Sequence, residues 1–175
     1  MAITFSAADR KGYPQVEPNH LSAPRDGGVY GQRPAAEGIN VLYQGQFVVY
    51  GADKVDFTGP GVWCMVYNEE QLYDERLRAH SDYAMHRNPD NTWGGGNSNY
   101  DHQMYPRVFR LTRGDLYTTN CVADGTYKVG DTLTPGNDGI LAAGTGTNGK
   151  PTLQVVKEYT LPDGQPAVKL QVISA

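Results

Sequence analysis

The residues of this chain that could do chemistry are few and poorly placed for it. Four histidines are present, and none of His20, His80, His86 and His102 shows the close i, i+4 spacing that lets two imidazoles share a metal ion on one helix face. His80 and His86 would fall on different faces of any helix. No metal centre is expected. Cys64 lies within the apolar run 62–67 (VWCMVY), not beside the cations that activate a thiolate. Cys121 has an equally apolar setting, and both are expected to be buried free thiols in a protein made in a reducing cytoplasm. Trp93-Gly94-Gly95-Gly96 lacks the lysine and the strand–helix setting of a phosphate loop, and no G-x-S-x-G nucleophile elbow occurs. Arg113-Gly114-Asp115 spells an adhesion tripeptide, but its chemistry suits a bend, in which glycine supplies the unusual φ and aspartate bonds nearby backbone. These observations predict no catalytic group and no cofactor. An enzyme with an unrecognised site is the least favoured reading.

What remains is chemistry of recognition. The stretch 88–104 (NPDNTWGGGNSNYDHQM) is a long polar, glycine-rich loop carrying Trp93 and Tyr100. Loops of that length in compact domains are functional or disordered, and its aromatic rings could stack on a sugar or a partner protein. Residues 1–38 hold scattered prolines and single apolar residues with no helical or strand period. Phe5, Tyr13, Val16, Leu21 and Tyr30 recur along them as separate anchors. Such a segment buries too little apolar surface to offset its own ordering entropy. It is expected to be an extended N-terminal arm that gains order against another surface, that of a neighbouring subunit.

The elements that would hold these residues read as short strands and turns. In 153–173 (LQVVKEYTLPDGQPAVKLQVI), two β-rich runs flank Leu161-Pro162-Asp163-Gly164, whose composition suits a hairpin turn with Gly164 at positive φ. On the return strand Val168, Leu170 and Val172 alternate with Lys169 and Gln171, which predicts one buried face. Leu153, Val155, Tyr159 and Leu161 share a parity on the outgoing strand, interrupted by Lys157. Pro166, with no N–H, must stand where the ladder starts. Tyr127–Leu133 reads as a strand bent at Gly130-Asp131. Residues 39–50 predict two short strands around Gln44-Gly45, and 62–67 a central strand buried on both faces with Trp63 in the core. Residues 68–87 are the best helix candidate: Asn68 can cap, Gln71 completes a capping box, and Glu69 and Glu70 sit at the positive end. Tyr73, Leu77, His80 and Ala84 would form its stripe.

Bulk composition agrees with a mainly β fold. There are 21 glycines and 11 prolines among 175 residues, with 39% hydrophobic and 19% charged. That length suits one domain. A net charge of −4 without a basic block argues against nucleic acid as a partner. No apolar run is long enough to span a bilayer, and the first dozen residues show no secretory pattern. The expectation is therefore a compact β-barrel or β-sandwich body over 39–175, preceded by the arm over 1–38, with one possible short helix and a long Gly/Asn-rich loop.

Several strand and turn words together resemble the capsid decoration, or cement, proteins of tailed bacteriophages. They are Tyr73-Asp74-Glu75-Arg76, Tyr105-Pro106-Arg107-Val108-Phe109, 114–120 (GDLYTTN), Val129-Gly130-Asp131-Thr132-Leu133 and the hairpin over 153–170. The resemblance covers roughly 62–173 and is one of grammar, not of a catalytic signature. It implies a non-enzymatic virion protein on the capsid exterior, synthesised in the host cytoplasm. It also implies binding at junctions between major capsid protein subunits, with copies of itself as further neighbours on the shell, and no membrane or nucleic-acid partner. The alternative from a different class is a carbohydrate-binding or receptor-contact module of the virion that uses Trp93 and Tyr100.

Overall fold

A computed structural model describes residues 2–6, 14–67, 84–86 and 104–175. In the N-terminal half the strands are β1 (Ala2–Phe5), β2 (Val16–His20), β3 (Val29–Tyr30), β4 (Val41–Tyr43), β5 (Phe47–Tyr50), β6 (Val55–Asp56), β7 (Val62–Val66) and β8 (Ala84–His86). They are followed by β9 (Val108–Phe109), β10 (Leu116–Thr119), β11 (Gly125–Lys128), β12 (Thr132–Pro135), β13 (Leu141–Ala143), β14 (Thr152–Thr160) and β15 (Pro166–Ser174). The helix among the described residues is the single turn α1 (Ala23–Asp26). Pro24 stands in its first turn and Gly27 closes it at φ 66°, where a left-handed residue lets the chain leave.

Every described ladder between these strands is antiparallel. A six-stranded sheet runs β13-β12-β14-β15-β10-β2 and a five-stranded sheet runs β3-β9-β7-β5-β6, with β1-β11 and β4-β8 as separate pairs. The two large sheets share one core. Phe47, Met65 and Phe109, in register across β5, β7 and β9, meet Tyr117, Leu133, Leu153, Val155, Val168, Leu170 and Val172 of the other sheet. Side-chain alternation sends Val48, Cys64, Val66 and Val108 to the opposite face. There they bury against Ala35, Ile39, Leu42, Val55 and Met104 in a second core. The expected mainly β fold is the observed one, and its layering is that of a sandwich.

The C-terminal hairpin forms as its sequence predicts. Gly164 has φ 86°, Gly164 N–H donates to the Leu161 carbonyl at 2.9 Å, and Pro166 opens β15 opposite Thr160. Val168, Leu170 and Val172 are buried. One expectation fails. Val155 pairs with Leu170 but Lys157 with Lys169, so Val156 is an extra residue, a β-bulge. A bulge reverses side-chain parity. Leu153 and Val155 therefore lie on the core face while Lys157 and Tyr159, opposite Lys169 and Ala167, lie on the other. The bend at Gly130-Asp131 also forms, with Gly130 at φ 97° and the Asp131 carboxylate accepting the Lys128 N–H at 3.0 Å. It passes the chain from one sheet to another. The strands around Gln44-Gly45 exist, but β4 pairs with β8 and β5 with β6 and β7.

The N-terminal segment departs most from expectation. β1 pairs with β11, β2 with β10 and β3 with β9. The surface that orders it is the chain's own body, so the described parts of 1–38 do not stand apart as an arm. β2 is an edge strand, which tolerates Pro18 because its missing N–H faces no neighbour. The helix expected over 68–87 lies outside the described residues except at 84–86. There the backbone is strand β8, so no helix continues through Ala84.

Candidate functional site

The most informative cleft among the described residues arises where a β-ladder stops short. β7 and β9 pair at Val66–Val108 and Met65–Phe109, and Tyr67 N–H donates to the Arg107 carbonyl at 3.0 Å. Antiparallel rungs alternate, so the next hydrogen-bonded rung would join Trp63 to Leu111. It is not made. Beyond Phe109 the chain is claimed elsewhere: Arg110 N–H donates to the Gly28 carbonyl at 2.8 Å, and Thr112 N–H to Asp115 Oδ2 at 2.9 Å. Gly114 N–H goes to the Val172 carbonyl at 2.8 Å. The two chains splay and leave a cleft of about 440 Å³, within the ordinary range of ligand sites.

Its lining is Phe47, Gly61, Val62, Trp63, Arg110, Leu111, Thr112, Arg113, Gly149, Pro151 and Ala175. Gly61 is required where the chain enters β7. It has φ 155°, and a Cβ there would run into the Tyr50 carbonyl. Val62 is 46% exposed, a large apolar side chain left in water. Trp63 packs partly on the main core and carries Lys150 Nζ 5.3 Å from its ring centroid, a cation–π distance. Lys150 is held there by donating to the Pro135 carbonyl at 2.9 Å. Arg110 and Arg113 are exposed, and neither forms an ion pair with a described carboxylate. No lining side chain is acidic. Two arginines thus rim an apolar floor, and the terminal residue Ala175, with its carboxylate, stands on the same lining.

Behind the cleft, burial pushes the Cys64 thiol up to about 12, and the nearby Arg110 charge offsets only part of that. A thiol so held is protonated and a poor nucleophile. Cys121 is likewise buried, and both are free. Among the described residues no group of three or more His, Cys, Asp and Glu could hold a metal. Nor is any described helix long and apolar enough to cross a membrane. The tripeptide 113–115 forms a bend. Gly114 has φ 99°, and Asp115, only 2% exposed, spends its carboxylate on the N–H and hydroxyl of Ser22 and the N–H of Thr112.

The described residues among those expected to bind a partner do not line this cleft. Phe5 is 3% exposed, its ring set edge-on to Tyr127 at 5.7 Å. Val16 and Leu21 pack on the main core. Tyr30 stacks on Tyr50 at 4.9 Å beside the second core. Phe5 is thus buried in its own fold, and Val16, Leu21 and Tyr30 are partly buried against it. Tyr13, Trp93 and Tyr100 lie outside the described residues. Sequence reasoning passed over Trp63 as core and had no reason to join it to Arg110 and Arg113. The signal available was Gly-Pro-Gly before an apolar strand, which marks an irregular start but names no partner. Comparison with family models, with curated proteins and with solved structures returns no match.

Proposed function

We propose that the protein is a non-enzymatic structural component of a tailed-phage virion. It binds the capsid exterior at junctions between major capsid protein subunits and stabilises the shell, and the Trp63–Arg110–Arg113 cleft is its docking surface. The observation that carries this reading is the cleft itself: an antiparallel body presents an apolar floor, a tryptophan and two arginines that no described carboxylate pairs. Tryptophan and arginine are the residues most enriched at protein–protein hot spots. The buried polar groups around it serve the fold, as Asp115 does, and the nearest thiol is held protonated. The strand and turn words that resemble decoration proteins point the same way. A sugar is a poorer fit at this cleft, because Trp63 has Lys150 over its ring and the main core against it, leaving little open face for stacking. A protein that binds assembled subunits and not free ones stabilises the assembly by mass action.

The test is co-sedimentation of the purified protein with empty shells of the phage that encodes it, followed by heating. Retention on shells, with shell rupture moved to higher temperature, is the expected outcome. Protein left in the supernatant at saturating shell concentration overturns the reading, and retention on a glycan array instead would favour the carbohydrate-binding alternative.

A further inference from the structure

We infer that the cleft takes an extended, acidic segment of the partner protein as an inserted strand, bonded to the open backbone of Trp63 and Leu111. The inference rests on the reading of this cleft as a docking surface and names the chemistry that the surface recognises.

Three observations carry it. The first is the missing rung. β7 alternates its backbone groups between its two neighbours. Val66 N–H donates to the Gln46 carbonyl and Tyr67 N–H to the Arg107 carbonyl. The odd-numbered positions of β7 therefore face β9, and Met65 finds Phe109 there. Trp63 faces the same way, and neither it nor Leu111 makes a backbone hydrogen bond with the other or with any other described residue. Each thus has an N–H and a carbonyl with no described partner, on the sides that face each other. Unpaired strand backbone is a template for another strand, and strand addition draws its affinity from such main-chain bonds.

The second observation is charge. Arg110 and Arg113 stand on the splayed side with no carboxylate partner among the described residues, and no side chain of the lining is acidic. Guanidinium groups pair carboxylates through two parallel hydrogen bonds, so an incoming segment bearing aspartate or glutamate is favoured. A basic one meets Arg110, Arg113 and Lys150, against the single carboxylate of Ala175, so the balance of charge still favours an acidic segment. The third is the floor. Phe47, Leu111 and Pro151 line it, so an aliphatic side chain between the acidic ones has a place to bury. Strand alternation supplies that pattern without further design.

The experiment is calorimetric titration of the full-length protein with an acetylated, amidated hexapeptide alternating aspartate and valine. The comparison peptides carry lysine in place of aspartate, or N-methyl groups on the valine amides to remove backbone donors. The acidic peptide should bind at least about tenfold more tightly than either control, and more weakly as salt screens the arginines. The double variant Arg110→Glu, Arg113→Glu should lose that preference while its melting temperature stays near the parent's, since both side chains are exposed. Equal binding of acidic and basic peptides, undiminished binding of the N-methylated peptide, or full binding by the double variant each overturns strand insertion. The wider reading fails separately. If the double variant co-sediments with shells as the parent does, the shell reading stands and strand insertion falls. If the hexapeptide binds as expected and shells do not, strand insertion stands and the shell reading falls.

Discussion

The carboxylate of Asp115 holds the backbone N–H of Ser22 at 3.0 Å and its hydroxyl at 3.1 Å, across 93 residues of sequence. The same carboxylate takes the Thr112 N–H at 2.9 Å. One buried side chain thus pins the N-terminal segment to the body and shapes the loop that opens the cleft.

Asp115→Ala should remove three bonds and leave two backbone donors without a partner. Hydrogen bonds to charged groups contribute about 1.5–3 kcal/mol each and a stranded donor costs about 1–3 kcal/mol, so a loss of about 2–5 kcal/mol is expected in urea unfolding. Asp115→Asn keeps one carbonyl oxygen and should lose less. Equal stability of the alanine variant and the parent would show that the clamp contributes nothing.

The N-terminal segment should prove structural. Phe5→Ala empties a site edge-on to Tyr127 and should cost about 3 kcal/mol, a fall in melting temperature of about 6–12 °C for a chain of this size. Removal of residues 2–30 should destabilise the body further, because β2 and Ala23 go with it. A truncated chain that melts with the parent would restore the view of the segment as an appended arm.

Tyr117 is the opposite case. Its hydroxyl is buried and has no hydrogen-bond partner among the described residues, and burial, with a smaller contribution from Cys121, holds the phenol well above its usual range. Removing a stranded hydroxyl relieves its desolvation penalty, so Tyr117→Phe should raise stability by about 1 kcal/mol, or about 2–4 °C. A destabilised Tyr117→Phe would mean that the hydroxyl is satisfied in solution.

Alkaline pH should probe Cys64. The thiol ionises near 9 when unfolded and near 12 when folded, chiefly because it is buried. Above pH 9 the unfolded chain binds fewer protons than the folded one. By linkage, this group's contribution is fully present below pH 9 and lost as pH rises toward 12, by about 1.4 kcal/mol per pH unit. Cys64→Ala should be less stable than the parent at pH 7, and the gap should narrow above pH 9 as the parent loses that contribution. Unfolding curves that stay a constant distance apart from pH 7 to 11 would contradict this.

Gly164 has φ 86°, and a Cβ added there would meet nothing within 4 Å, so any cost of substitution is backbone strain alone. Gly164→Val should lose about 1–2 kcal/mol, and Gly164→Asn, which tolerates the left-handed region, clearly less. If the two variants melt together, the turn is of another type in solution.

Local chemistry explains what could be read from the residues alone. The mainly β class, the 161–164 turn, the positive φ of Gly164, the buried alternation of Val168, Leu170 and Val172, and the bend at Gly130-Asp131 follow from interactions within a few residues. So does the use of Asp115 on its own loop. Tertiary structure decided the rest. The parity of Tyr159 depends on a bulge at Val156, which the partner strand sets. The scattered apolar residues of 1–38 carry no period that names a partner, and only the fold showed that β11, β10 and β9 of the same chain pair with its described strands. The cleft is less legible still. Trp63 and Leu111 are far apart in sequence, and each is an ordinary apolar residue in its own context. They face one another unbonded because Gly28, Asp115 and Val172 draw the chain after Phe109 away from β7, a competition among distant hydrogen bonds that no local pattern records.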